Sequence, residues 1–416
     1  MGIVKLAMST MPIQGMSTTY STHSIITDSA AAGTALATGN KTASGVIAMD
    51  PTGTVSYETI AQKAHKKGMK VGIVSSVSIE HATPASFYAH RPSRKDYYEL
   101  ALQLPESGFE YFAGGGFNKP KGKKGDQPDV VEIIKGAGYT FVEDMEGFRK
   151  LSPADGKVVA VNPVLKGGKS LPYEIDRRDD SISLAEFTAK GVELLDNPDG
   201  FFMMVEGGKI DWACHANDAV SSIRDTIAFD QAVQVALDFY NAHPDETLVV
   251  VTGDHETGGL SIGFAGTKYD TFFQKLDGQT VSYEDFDLLI SSYRKSTDGK
   301  GSMEEFFPQV ESAFGLKMEE LSQSDVAELK RAFSESMKGK DDRSKDQESF
   351  LLYGGYEPFS MALTHLLNRQ AGISWTSYAH TGVPVPVSAA GVAQDSFNGY
   401  YDNTDIYHKM ASAMGL

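Results

Sequence analysis

The sequence of 416 residues contains a single cysteine, Cys214, so it cannot form an internal disulfide. It also lacks any run of about 18 apolar residues, which excludes a transmembrane helix. The apolar stretch within the first 15 residues is short and interrupted early, so no signal peptide is predicted there. A chain of this length can nevertheless bury a large core.

Positive charge is scarce in this sequence. Lysine and arginine together number 38 against 55 aspartates and glutamates, and the net charge is -17. Because phosphate backbones attract basic surfaces, the composition argues against nucleic acid as the main partner. The same surplus of acid disfavours adsorption to anionic membranes. Hydrophobic residues at 41% and charged residues at 22% are typical of a folded protein rather than a disordered one.

Apolar runs rich in β-branched residues alternate with segments of helical periodicity over most of the chain. Strands followed by helices predict an α/β fold, a three-layer sandwich with a mainly parallel central sheet and helices on both faces. Ligands of such sheets bind at the carboxyl ends of the strands. The predicted strands are 71–76, 158–162, 201–207 and 247–254, and the clearest predicted helices are 57–68 and 182–196.

Residues 264–350 differ from the rest because they are polar, charged and helical in pattern, without a convincing buried strand. We therefore predict an inserted helical subdomain there. It divides the α/β core into a first part, residues 1–263, and a last part, residues 351–416.

The segment TDSAAAGTALATG (27–39) places Ser29 at the start of a helix of small residues. Free backbone N–H groups and the positive end of the helix dipole favour an anion at such a position. They would also help to stabilise a serine alkoxide. The alternative is that Ser29 or Asp28 is only a helix N-cap.

The segment VEGGKIDWACH (205–215) begins at the end of a hydrophobic strand with Glu206. Asp211 and His215 are four positions apart and share one helix face, and a carboxylate beside an imidazole suits zinc. The alternative is a surface contact between the two side chains. Cys214, on the neighbouring part of that helix, is either a further thiolate ligand or a small buried residue.

Two further segments supply histidines. VVVTGDHETGG (249–259) carries Asp254 and His255 at the end of another buried strand, where both side chains can reach one ion. AHTGVPVPV (379–387) carries His380 before an edge-like strand containing proline, and a lone histidine of this kind is otherwise structural.

The segment EHATPASFYAHRPSR (80–94) places Thr83 and Arg94 after a predicted strand. Arginine is the preferred bidentate ligand of phosphate, although Arg94 taken alone is equally explained by a surface ion pair. Together the segments supply a serine, an arginine, three histidines and several acids at strand ends. This set suits a two-metal phosphoryl transfer with a covalent serine intermediate.

In this order, these five motifs closely resemble those of the alkaline phosphatases. The ending DNTDIYHKMASAMG also resembles that family, and the similarity covers about residues 10–260 and 355–416. The resemblance implies hydrolysis of small phosphate monoesters. It further implies a periplasmic or secreted location, and a homodimer as the common assembly.

The resemblance also implies roles for the residues that bind phosphate. Ser29 would be the nucleophile that forms a phosphoserine, and Arg94 would hold two phosphate oxygens. Asp28 would orient the arginine. His81 and Trp212 would modulate the third metal and the release of phosphate.

The implied cofactors are two zinc ions and one magnesium ion. The histidine at position 81 is also compatible with a metal other than magnesium as the third ion. The ligands implied by the resemblance are Asp211, His215 and His380 for the first zinc, Asp254 and His255 for the second, and Glu206 and Thr83 for the third ion.

One feature of the family is missing from the sequence. Alkaline phosphatases begin with a strand that ends in an aspartate bridging the second zinc and the third ion, and no Asp-Gly pair here follows a suitable strand. We therefore expect an N-terminally truncated chain with an impaired second zinc and third ion. Two alternatives follow: a non-catalytic metal-binding remnant, and a phosphodiesterase of the same superfamily, although Glu206 with Thr83 favours the third ion and monoesters.

Overall fold

The computed structural model describes residues 5–416 and contains both helices and strands throughout that range. The strands are β1 (Ile13–Thr18), β2 (Lys70–Ser75), β3 (Tyr111–Gly114), β4 (Thr140–Val142), β5 (Val158–Val161), β6 (Phe201–Glu206), β7 (Leu248–Thr252), β8 (Glu256–Thr257), β9 (Ser261–Ile262), β10 (Ile373–Ser374), β11 (His380–Thr381), β12 (Val385–Gly391) and β13 (Gly399–Asp402).

The α-helices surround these strands, and each of the two helices predicted most clearly is present, as α2 and α7. The helices are α1 (Ser29–Thr38), α2 (Ile60–Lys66), α3 (Ala82–Ala85), α4 (Tyr97–Ser107), α5 (Val130–Gly136), α6 (Met145–Lys150), α7 (Leu184–Leu195), α8 (Gly208–His215), α9 (Ala219–Ala242), α10 (Tyr283–Ser296), α11 (Met303–Phe314), α12 (Gln323–Met337), α13 (Gln347–Tyr353), α14 (Pro358–Ala371) and α15 (Asn403–Met414).

Five strands form a wholly parallel sheet in the order β4-β5-β3-β2-β6. Successive side chains of its central strands point to opposite faces: Ile73 enters one core cluster and Val74 another. Helices α2, α4 and α5 cover the first face, and α7 covers the second. The predicted three-layer α/β fold and three of its predicted strands are thereby confirmed.

The fourth predicted strand, β7, belongs to a separate mixed sheet in the order β13-β1-β12-β7. In this sheet β1 is antiparallel to β12 and parallel to β13, and β12 is antiparallel to β7. The short pairs β9–β10 and β8–β11 are antiparallel. The pair β8–β11 brings His380 opposite Thr257.

Strands β6 and β7 each lie at an edge of their sheet and are half-buried along their whole length. Phe202 and Met204 of β6 and Val250 of β7 nevertheless pack against the same core cluster. Within residues 5–416, no strand pairs with the second edge of either. The edge strands β6 and β7 of the two sheets therefore pack on the same core cluster. Each has acidic residues at its carboxyl end.

The region 264–350 is helical in the structure, as predicted, and no strand occurs in it. Its aromatic side chains Phe286, Phe306 and Phe333 pack around Phe359 of α14 in one core cluster. The predicted boundary after residue 350 falls inside α13. The region therefore packs on the last part of the chain, while the division into domains stays a prediction.

None of the helices described is long and apolar enough to span a membrane.

Candidate active site

Ser29 is the first residue of α1 and is almost completely buried. Asp28 caps this helix by accepting a hydrogen bond from the Ala31 N–H at 3.1 Å. The Ser29 Oγ lies 3.0 Å from Nε2 of His255. The serine hydroxyl is therefore held where backbone N–H groups of the first helical turn favour negative charge.

Arg94 is tied to the same cap residue. Its Nη1 donates to Oδ2 of Asp28 at 3.0 Å, and that oxygen also accepts from the Gly45 N–H at 3.0 Å. The Arg94 backbone N–H donates to the Gly45 carbonyl at 2.7 Å. The guanidinium is thus fixed beside the start of α1, with further N–H groups left to bind an anion.

His81 lies between Arg94 and Trp212. Its Nε2 is 3.5 Å from Nη2 of Arg94, and its ring meets the Trp212 indole edge-on at 5.7 Å. Burial and, to a smaller extent, the charge of Arg94 lower the pKa of His81 to about 3. A neutral imidazole therefore lies beside the guanidinium.

The imidazoles of His215 and His380 converge on Asp211. Their Nε2 atoms are 3.2 Å apart, and lie 3.3 and 3.5 Å from Oδ1 of Asp211. Each Nδ1 faces a backbone carbonyl, that of Tyr378 at 2.6 Å and that of Thr27 at 2.7 Å. Since a carbonyl only accepts, each Nδ1 carries a hydrogen, and each ring directs its Nε2 toward the same point.

His255 stacks on His380, with ring centroids 3.6 Å apart. Asp254 places Oδ2 3.4 Å from Nε2 of His255 and accepts from the Thr83 hydroxyl at 3.3 Å. Donor atoms of Asp211, His255 and His380 all lie within 4.8 Å of one another. The carboxyl ends of β6 and β7, and the segment before β12, therefore supply one cluster of potential ligands.

Glu206 completes this end of β6. Its Oε2 accepts a short hydrogen bond from the Ser75 hydroxyl of the neighbouring strand β2. Burial, assisted by the nearby Asp254 carboxylate, raises the pKa of Glu206 to about 8, against the opposing hydrogen bonds from Ser75 and Thr83. A buried carboxyl beside a second carboxylate carries a cost that a bound cation offsets.

The pKa of Asp211 is shifted in the opposite direction to that of Glu206. Burial tends to raise its pKa, but the hydrogen bond from His380 and the charges of His215 and His255 outweigh that effect and hold the pKa far below its usual range. The pKa of His380 is raised: burial lowers it, and the contacts with Asp211 more than offset this. Asp211 is therefore ionised at neutral pH.

The donor set fits bound metal ions. Two imidazole lone pairs that face each other at 3.2 Å repel unless a proton or a cation lies between them, and Asp211 stands beside both. Imidazole nitrogen and carboxylate oxygen are typical zinc ligands. The oxygen donors Glu206 and Thr83 suit a harder ion such as magnesium.

All twelve residues that the sequence singled out lie around this cluster. Cys214 does not contribute to it, because its Sγ lies 3.3 Å from the Ser222 hydroxyl of α9 and burial raises its pKa to about 12. Cys214 therefore keeps a protonated thiol and is a small buried side chain rather than a thiolate ligand, which is the second of the two alternatives given above.

Sequence reasoning missed several supporting residues. The Thr257 hydroxyl donates to Oδ1 of Asp211 at 2.5 Å and lies 3.2 Å from Nδ1 of His255. Its position two residues after His255, on the same side of an extended segment, is the signal that identifies it. The carbonyls of Thr27 and Tyr378 carry no comparable signal, since every residue has one.

The comparisons with known proteins all point to one family. The family model described as alkaline phosphatase matches residues 3–114 and 108–416. Alkaline phosphatase 3 of Bacillus subtilis (strain 168) is 32% identical over 412 residues, which cover 96% of this chain and 80% of that protein.

Solved structures of the same family are similar over nearly the whole chain. The cold-active alkaline phosphatase of a psychrophilic Shewanella species superposes with a TM-score of 0.80 at 31% identity, covering 99% of this chain and 92% of that one. The Thermus thermophilus alkaline phosphatase gives a TM-score of 0.81 at 27% identity, covering 99% and 85%.

Proposed function

The chain belongs to the alkaline phosphatase family and is a phosphate-monoester hydrolase, and on that premise we propose that it acts through a phosphoserine on Ser29 at a site holding two zinc ions and one magnesium ion. The observation that carries the proposal is the burial of the Ser29 hydroxyl beside His255, at a helix start and within a convergent set of metal donors.

Arg94 binds two oxygens of the substrate phosphoryl group in this proposal. The Asp28 carboxylate holds Nη1, which leaves the guanidinium oriented toward Ser29 and poised to make paired hydrogen bonds. Arginine and the N–H groups of the first turn of α1 then face the equatorial oxygens where negative charge is concentrated. The acidic surface of the protein does not prevent binding, because these donors act at contact distance.

Ser29 supplies the oxygen that attacks phosphorus. The new Ser29 Oγ–P bond forms as the P–O bond to the leaving alkoxide or phenoxide breaks. The serine proton passes to solvent water, and the leaving oxygen takes up a proton from solvent. Water then attacks the phosphoserine, the Oγ–P bond breaks, and inorganic phosphate is released. Bound zinc would supply a lowered pKa for the hydroxyl or water and charge compensation for the leaving oxygen.

We assign the proposed metal ligands to three positions, as the resemblance to the family implies. Asp254 joins two of them, since it contacts both His255 and Thr83. Zinc at the first and second positions and magnesium at the third is proposed from donor type. The proposed ligands are Asp211, His215 and His380 for the first zinc, Asp254 and His255 for the second, and Glu206 and Thr83 for magnesium.

The experiment that tests this function is hydrolysis of p-nitrophenyl phosphate at alkaline pH with zinc and magnesium added. We expect turnover that Ser29→Ala abolishes, and a rapidly quenched wild-type sample that carries one phosphoryl group by intact mass. Ser334→Ala is the matched control, since that serine is exposed on α12 and distant in sequence from the site.

Two results would contradict the proposal. Turnover that persists in Ser29→Ala excludes the serine mechanism. A folded wild-type chain that contains zinc but neither hydrolyses the substrate nor becomes labelled would instead fit the metal-binding remnant.

We further propose the homodimer and the periplasmic or secreted location that are common in the family. Light scattering of the purified chain tests the assembly, and fractionation of the source cells tests the location. A monomer, or activity confined to the cytoplasm, contradicts the respective proposal.

A further inference from the structure

Lys209 is a fully buried lysine that joins the helical region to the α/β core. Its Nζ lies 3.0 Å from Oε2 of Glu284, at the start of α10, and 3.2 Å from the Ser170 hydroxyl. The same ammonium rests 3.5 Å from the centre of the Tyr173 ring. The residue is 0% exposed, so its charge has to be balanced by groups inside the protein, of which Glu284 is the one in direct contact.

Glu284 also holds the loop that precedes Ser170. Its Oε1 accepts from the Gly167 N–H at 2.8 Å, while Lys166 donates to Asp285 at 2.6 Å. Two neighbouring acids of α10 therefore fasten residues 166–170 to the helical region.

The fastened loop packs directly on Trp212. Gly168 has φ of +59°, and a Cβ there would lie 2.7 Å from Cη2 of the indole. Lys209 lies 5.2 Å from the centre of the same ring. A glycine is required because both the backbone angle and the close approach exclude a side chain.

Trp212 in turn contacts His81, which contacts Arg94. No hydrogen-bond partner is described for the buried Nδ1 of His81, so packing rather than a second hydrogen bond sets the angle of this ring. The position of the Trp212 indole therefore affects the position of His81, which faces the Arg94 guanidinium.

We propose that Lys209 is a positioning residue through which the helical region sets the phosphate affinity of Arg94. The ammonium, clamped by Glu284, holds the loop 166–170 against Trp212, and Trp212 holds His81 beside the guanidinium. The proposal deepens the proposed function and rests on its assignment of Arg94 to phosphate binding. It gives the region 264–350 a role in catalysis without any contact to substrate.

The test compares steady-state constants and inhibition by inorganic phosphate in the full-length, metal-loaded enzyme. Glu284→Gln keeps the size of the side chain and removes the charge that pairs with Lys209. We expect KM and the phosphate inhibition constant to rise together by about three- to tenfold while kcat changes less than about twofold. Lys209→Met is expected to show the same pattern and Lys209→Arg to restore part of the affinity.

The matched control is Glu304→Gln, which removes an exposed ion pair with Lys330 from the same helical region. It is expected to leave all three constants unchanged. In a Trp375→Phe background Trp212 is the only tryptophan, so its emission maximum reports whether the indole has moved in Glu284→Gln.

Arg94→Ala separates the failure of this inference from failure of the proposed function. If Arg94→Ala raises the phosphate inhibition constant while Glu284→Gln and Lys209→Met only lower the melting temperature, Lys209 has a structural role and the inference is wrong. If Arg94→Ala leaves phosphate inhibition unchanged, the assignment of Arg94 fails and the inference fails with it.

Discussion

Two backbone carbonyls determine the direction of the histidine rings at this site. The oxygens of Tyr378 and Thr27 accept from Nδ1 of His215 and His380, so each ring presents Nε2 to Asp211. Asn217, in the loop after α8, donates to the Ser377 carbonyl at 3.0 Å and so helps to hold the neighbouring Tyr378 carbonyl in place. Ligand geometry therefore depends on main-chain placement as well as on the ligands themselves.

Asp225 of α9 provides a pH-dependent prediction at the scale of one residue. Burial raises its pKa to about 8, although the Glu174 N–H and Lys209 favour the ionised form. The folded state therefore keeps a proton that the unfolded state loses near pH 4, and this contribution to stability disappears as pH rises toward 8. Asp225→Asn removes the titration, so we expect it to gain stability relative to wild type across this range, by up to a few kcal/mol.

Thermal unfolding from about pH 5 to pH 8 measures this difference. Asp238→Asn is the control on the same helix, because Asp238 is exposed and bonded only to Gln234. A difference between Asp225→Asn and wild type that stays constant with pH, as in the control, would show that Asp225 is ionised throughout.

At the scale of an element, the start of α1 combines a helix cap with a phosphate site. Asp28 uses Oδ1 for the helix and Oδ2 for Arg94 and Gly45. The helix itself consists of small, buried residues, and a Cβ on Gly33 would lie 3.0 Å from the Ser86 hydroxyl. Close packing against α3 thus sets the position of the helix, and the cap sets its first turn.

Two substitutions of Asp28 separate these functions. Asp28→Asn keeps an N-cap oxygen but loses the charge that orients Arg94, so we expect a near-normal melting temperature and a raised KM. Asp28→Ala loses both contacts, so we expect a loss of about 1 kcal/mol in unfolding free energy in addition to the raised KM. Thermal unfolding of the two variants measures the effect on stability, and steady-state kinetics measures the effect on KM.

Asp144→Ala is the control for capping alone, since Asp144 caps α6 through the Gly147 N–H. It should lower stability without changing KM. Equal KM values for Asp28→Asn and wild type would show that the contact between Asp28 and Arg94 does not orient the arginine for phosphate.

For the whole molecule, the proposed metal site joins elements from distant parts of the chain. Asp211 follows β6, Asp254 follows β7, and His380 lies in β11. Without cations, the carboxyl groups of Glu206 and Asp254 are buried near each other and the Nε2 atoms of His215 and His380 face each other at 3.2 Å, and both arrangements are unfavourable. Since metal binds the folded arrangement only, removal of metal should lower stability as well as activity.

We expect chelation by EDTA to lower the melting temperature by several degrees and to abolish turnover, and added zinc and magnesium to restore both. EDTA saturated beforehand with zinc is the matched control for the chelator, because it can no longer remove zinc from the protein, and Asp211→Asn should show a smaller metal-dependent shift. An unchanged melting temperature in a sample proved metal-free by elemental analysis would contradict the structural role of the ions.

The sequence by itself determined the fold class and singled out the candidate site residues. Strand runs such as 158–162 are apolar because both faces of a parallel strand are covered, and their carboxyl ends share one edge of the sheet. The prediction therefore placed Glu206 correctly at the end of β6, and it also placed Asp254 after a strand, although that strand, β7, belongs to the mixed sheet. Short motifs kept Ser29, Arg94, Asp211, His215, His255 and His380 recognisable, since each stands in a local context that its chemistry requires.

Only the tertiary structure decided how those residues meet. The strands divide into a parallel and a mixed sheet through pairings between distant parts of the chain. The contact of Glu284 with Lys209 joins residues 75 positions apart, and the convergence of His215 with His380 joins residues 165 positions apart. Local residue preference carries no information about such distant contacts. They arise because the elements bury shared apolar faces, and the polar groups at their ends are then brought within reach of one another.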